Sequence, residues 1–152
     1  MVISSLNTKL IEDRLGFINL ALARLKSMRD LPRESFLQED KPAAAESYLR
    51  RCLEALFDTA RHITARSAGK GIVEYKEIAR NLGEKGVITP DLAEKLVLMA
   101  GYRNRMTHFY HEISNEELYR IISENLKDIE EFVKQIRTFL EAYRSRSTAR
   151  ET

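Results

Sequence analysis

Tryptophan is absent from these 152 residues, cysteine occurs once, and proline and glycine fill only three and six positions. One cysteine cannot close an intramolecular disulfide. Cys52, set in an apolar stripe, therefore reads as a small buried residue and fits a reducing compartment. Composition excludes a fibrous or disordered chain: 43% hydrophobic and 32% charged residues is the balance of a soluble, helix-rich globular protein the size of one domain. No uninterrupted apolar run approaches the roughly 18 residues of a membrane span. Lys9, Glu12, Asp13 and Arg14 stand where a signal peptide needs an apolar core, so a cytoplasmic protein with no membrane segment is expected. A large charge excess is also missing. A formal net charge of +2 gives no overall footprint for nucleic acid, so any RNA contact has to come from local arginines. No group of His, Cys, Asp and Glu has metal-ligand spacing, and neither a metal nor a cofactor is expected.

What is present is helical period. Ile11, Leu15, Ile18, Leu22 and Leu25 recur at spacings of four and three, which predicts a first long helix ending near Arg29, before Pro32. A loop is expected from Pro32 to Glu39. Asp40-Lys41-Pro42 then opens a second helix, with Ala45, Leu49, Cys52, Leu56 and Ile63 as its stripe, stopping before Gly69 and Gly71. Tyr75, Ile78, Ala79 and Leu82 make a short third helix, with Gly83 expected in the left-handed conformation past its end. Thr89-Pro90 reads as N-cap and first residue of a fourth, carrying Leu92, Leu96 and Met99. Ser114-Asn115-Glu116-Glu117 fits a capping box, in which Ser114 and Glu117 would satisfy two orphan amides reciprocally. The helix it opens carries an apolar stripe from Leu118 to Tyr143. Nothing reads as a strand, repeat or low-complexity segment. The domain is expected over residues 1–144, with 145–152, which lack apolar anchors, as a frayed tail.

The stretch most suggestive of chemistry is Arg103-Asn104-Arg105-Met106-Thr107-His108-Phe109-Tyr110. Arginine grips phosphate through a planar fork of donors, and histidine exchanges a proton near neutral pH; together they suggest phosphodiester chemistry. The plain alternative is an arginine satisfying helix carbonyls and a histidine packed at a turn. Other arginine groups, Arg50, Arg51, Arg61 and Arg66 and the distal Arg144, Arg146 and Arg150, read mostly as solvated faces. His111 reads as a turn or interface residue, and His62, in mid-helix, has no assigned role. On a regular helix Arg103 and His108 would sit about 140 degrees apart, with Asn104 and His108 on one face and Arg103 and Tyr110 on another. They could converge through a helix break near Met106 or across a two-fold axis.

The pattern Arg-x4-His-x-Tyr, filled by Arg103, His108 and Tyr110 with Asn104 after the arginine, resembles the signature of HEPN-domain toxins of the HepT type. The run from Tyr75 to Ile88 is similar to the helix and glycine turn that lead into the motif-bearing helix of that family, and the helix order fits from about Leu6 to Tyr143. The resemblance implies an all-α, up-and-down helical bundle of about five helices that forms a symmetric homodimer with two Arg-His sets lining one cleft. It also implies the toxin of a type VII-like HEPN/MNT toxin-antitoxin pair, a metal-independent endoribonuclease that leaves a 2′,3′-cyclic phosphate. His108 would then transfer the proton, Arg103 stabilise charge on the phosphate, and Asn104 orient His108 or a phosphate. Tyr110 would accept AMP from an MNT-type nucleotidyltransferase antitoxin. Two other readings stand beside it. One is a HEPN module that binds nucleotide, RNA or the transferase without turnover; the other is an unrelated helical interaction protein, which requires the motif match to be accidental. The intact Arg103/His108 pair favours the enzyme.

Overall fold

The structure, a computed structural model, describes residues 5–68, 74–108 and 113–151, and among these it contains six helices and no strand. Asn7 caps the first of them, α1 (Thr8–Arg29), its side-chain oxygen accepting the Leu10 amide at 3.0 Å. All five stripe residues expected of α1 are buried, together with Ala21. The segment expected as a loop contains a single helical turn, α2 (Arg33–Phe36). The reason is tertiary. Phe36 is fully buried with its ring 5.0 Å from that of Tyr119, whose hydroxyl donates to the Leu31 carbonyl at 2.8 Å. Burying one phenylalanine stabilises by about 1.5–3 kcal/mol, enough to hold a turn that local propensity does not specify.

α3 (Lys41–Ala68), α4 (Tyr75–Glu84), α5 (Pro90–His108) and α6 (Asn115–Glu151) complete the bundle. Long helices run antiparallel, as the pairings along them show. α1 starts beside the end of α3, where Arg66 donates to the Ser5 carbonyl, and Arg14 pairs with Asp58 further along. The same start of α1 meets the distal part of α6, where Glu12 binds Arg137 and Arg144, while Lys26 near its end reaches Glu130. α5 and α6 are likewise antiparallel: Thr89 meets Gln135, Lys95 meets Asp128 and Arg105 meets Glu117. α6 continues as helix to Glu151. Tyr143, its last apolar anchor, accepts the Leu6 amide through its hydroxyl at 3.0 Å, and Arg144 to Arg146 beyond it are exposed.

Two local expectations are corrected. Gly83 does not take the left-handed conformation; it is helical, and Gly86 holds that position with φ +73°. Val87 donates to the Leu82 carbonyl and Gly86 to that of Gly83, so α4 ends in a Schellman motif one turn later than expected. What Gly83 provides is space, since a Cβ there would lie 2.7 Å from the Ala93 Cβ of α5. The capping box forms only by half. Ser114 accepts the Glu117 amide at 3.1 Å, but the Glu117 carboxylate is taken by Arg105 and does not return to the cap.

Candidate active site at the end of α5

Thr89 and Pro90 begin α5 as expected, the Thr89 hydroxyl accepting the Leu92 amide, and the Thr89 amide itself is held by Gln135 of α6. Leu92, Leu96 and Met99 face the core and fix the rotation of the helix, which in turn fixes where each motif residue points. The helix continues unbroken through Met106 to His108, so a break near Met106 does not bring the arginine and histidine together.

Arg103 points toward α4, its guanidinium carbon 4.4 Å from the centre of the Tyr75 ring. Its Nε is buried without a hydrogen-bond partner, and one Nη donates to Asn104 across a long 3.5 Å. His108 lies about 140 degrees round the helix. Its side chain is exposed and makes no hydrogen bond among the described residues. Asn104, one turn before His108 on the same face, is half-buried. One copy of the chain thus brings Arg103 and Asn104 together and leaves His108 apart from Arg103. Tyr110 and His111 lie outside the described residues.

Arg105, counted at sequence level with the cations of the motif, has another task. Its two terminal nitrogens bind the two Glu117 oxygens at 2.8 and 2.9 Å, a fork-to-fork pair that ties the end of α5 to the start of α6. The Arg105 hydrogen bond is the main reason the Glu117 carboxyl is held below the usual range, and the charges of Arg105 and Arg120 add to it. This clamp flanks the connection, residues 109–112, that carries Tyr110. A cleft of about 710 Å³ beside it is lined by Glu46, Arg50, Arg105, Thr107 and Asn115, among others. None of its described lining residues is Arg103, Asn104 or His108, so the chemistry-bearing side chains lie outside this cleft.

Sequence reasoning missed three residues. Tyr75 was read as a stripe residue of the third helix, yet its ring carries Arg103. Arg61, read as a solvated face, lies on the same ring with its guanidinium carbon at 5.0 Å. Only a pairing of Tyr75 with arginines of two other helices could have revealed this, and sequence spacing does not encode it. His62 also has a role. Its Nε2 accepts the Asn7 amide at 2.9 Å at the start of α1, and burial, aided by the Arg66 charge, lowers its pKa from the ordinary value.

The arrangement defines a class: an antiparallel all-helical bundle presenting an Arg-x4-His pair at the C-terminal end of one helix. The chain belongs to the Ribonuclease HepT-like family, whose model matches residues 18–136. It is 28% identical over 133 residues to the tRNA nuclease HepT of Aphanizomenon flos-aquae, covering 86% of this chain and 90% of that protein. It is 26% identical over 131 residues to the putative RNase YutE of Bacillus subtilis, covering 86% and 88%. Among solved structures, that of YutE superposes with a TM-score of 0.80 at 24% identity over 91% of this chain and 93% of that one. A tri-AMPylated Shewanella oneidensis HEPN toxin in complex with its MNT antitoxin gives 0.76 at 24% identity over 85% and 97%. These likenesses establish the HEPN fold.

Proposed function

We propose that the chain is an endoribonuclease toxin, active as a homodimer and silenced by an MNT-type nucleotidyltransferase antitoxin in the cytoplasm. The observation that carries this reading is the pair formed by Arg103, a guanidinium without a carboxylate partner among the described residues, and His108, an exposed imidazole on the same helix. Membership of a ribonuclease family supports it. So does the likeness to a chain solved as an AMPylated toxin with its antitoxin.

In this mechanism the RNA ribose 2′-hydroxyl gives its proton to His108 and attacks the adjacent phosphorus. The bond to the 5′ oxygen breaks, that oxygen takes up the proton from the His108 imidazolium, and a 2′,3′-cyclic phosphate remains. Arg103 stabilises the charge that builds on the phosphate oxygens, and Asn104 orients the phosphate or His108. Because one straight helix holds Arg103 and His108 about 140 degrees apart, a second copy across a two-fold axis supplies the complement of each. Tyr110, two residues past His108, is the acceptor for AMP. The added phosphodiester and adenosine repel and block an incoming RNA backbone.

The test is cleavage of single-stranded RNA in EDTA with the product ends analysed. His108→Ala is expected to lose roughly 100-fold or more through the missing proton-transfer group, and Arg103→Ala a comparable factor through lost charge stabilisation. Wild-type cutting by both variants would place the activity elsewhere in the protein.

A further inference from the structure

Tyr75 opens α4 with its ring against Phe57 of α3, the centroids 5.1 Å apart, so the aromatic plane is anchored in the core. Two guanidiniums rest on that one ring: Arg103 from α5 at 4.4 Å and Arg61 from α3 at 5.0 Å. Several other arginines reach a carboxylate within 4.0 Å, among them Arg14, Arg50, Arg105 and Arg137. Neither Arg61 nor Arg103 has a carboxylate partner among the described residues. Two like charges gathered at one point repel, and the negative face of the ring offsets only part of that. A phosphate bound by both guanidiniums offsets the rest. A guanidinium over a ring keeps N–H donors at its edge for phosphate oxygens; in Arg103 these are the terminal ones, since its Nε is buried.

We propose that Arg61 is an RNA-backbone-binding residue of the same site, and that Tyr75 is a positioning residue holding both guanidiniums toward the phosphates. This rests on the ribonuclease reading and extends the site from the end of α5 across α4 to α3. Single-stranded RNA places regularly spaced phosphates along its backbone, and two fixed cations on one rigid ring grip it at more than one point while His108 acts. Arg61 contributes to holding the strand. Tyr75 acts through Arg103 on the chemical step as well.

Binding is measured by fluorescence anisotropy with a fluorescein-labelled single-stranded RNA, in a His108→Ala background so that the probe survives, across a range of salt. Adding Arg61→Ala is expected to weaken binding roughly tenfold, as for a lost charged hydrogen bond, and to reduce the slope of log affinity against log salt by about 0.7. With His108 intact, Arg61→Ala raises KM and leaves kcat nearly unchanged. Tyr75→Leu lowers kcat and raises KM together, and Tyr75→Phe, which keeps the ring, restores both. Unchanged affinity and salt slope in Arg61→Ala, on a protein that cuts RNA, overturn the Arg61 assignment. Equal impairment of the Leu and Phe variants overturns the platform role of Tyr75. A wild-type chain that neither binds nor cuts RNA overturns the ribonuclease reading, and this proposal with it.

Discussion

Arg103 and His108 are held by opposite means. Arg103 is fixed before any ligand arrives, its face on Tyr75 and its Nε buried, so little rotamer entropy remains to be lost when a phosphate binds. His108 is exposed at the last residue of α5, and its orientation has to come from the substrate or from a second copy. Cys52 is the contrasting case of a reactive group kept out of use, since complete burial pushes its thiol up to about 12. The residue-scale prediction concerns Tyr110. Co-expression with a cognate MNT-type transferase and ATP is expected to add one or more AMP units, read by intact-mass and peptide mass spectrometry, and to abolish toxicity. Tyr110→Phe should lose them. Increments that persist in this variant would mean that another residue is modified and that antitoxin binding is the better account of silencing.

At the scale of elements, the site depends on how closely α4 lies on α5. Gly83 permits that approach, because any Cβ at this position meets the Ala93 Cβ at 2.7 Å. Helix propensity alone predicts that Gly83→Ala stabilises α4 by up to about 1 kcal/mol. Overpacking at a helix-helix contact costs about 1–3 kcal/mol, and the two helices would have to separate, moving Tyr75 relative to Arg103. The expected outcome is a lower melting temperature by circular dichroism and weaker RNA cleavage; a more stable variant would show that the α4–α5 contact has room for a methyl group. The Arg105–Glu117 clamp does the corresponding job between α5 and α6, joining the two helix ends on either side of residues 109–112.

For the whole molecule the question is assembly. Leu98 is 63% exposed and shares an arc of α5 with Gly101, Arg105 and His108. A second copy packed on that arc would cover Leu98 and bring its own His108 to the same region. Light scattering of the wild type should therefore report a dimer at micromolar concentration. Leu98→Lys should shift it toward monomer and reduce RNA cleavage in parallel. A wild type that stays monomeric with and without RNA would remove the two-fold account of the site.

Much of this protein was legible from its residues in order. Helical period placed the buried stripes of α1, α3, α5 and α6, and Thr89, Pro90 and Ser114 marked helix starts, because these signals depend on neighbours within one or two turns. The Arg-x4-His spacing likewise named the two residues on which the functional reading stands. What sequence order does not contain is which distant groups meet. Burial of Phe36 beside Tyr119 made a helix where a loop was expected, and Ala93 rather than a turn explains Gly83. Glu117 left its cap for Arg105, and Arg61 met Arg103 on the ring of Tyr75. Each of these depends on packing between helices far apart in the chain. Local periodicity determined the helices; the rotation and spacing imposed by the shared core decided which side chains meet.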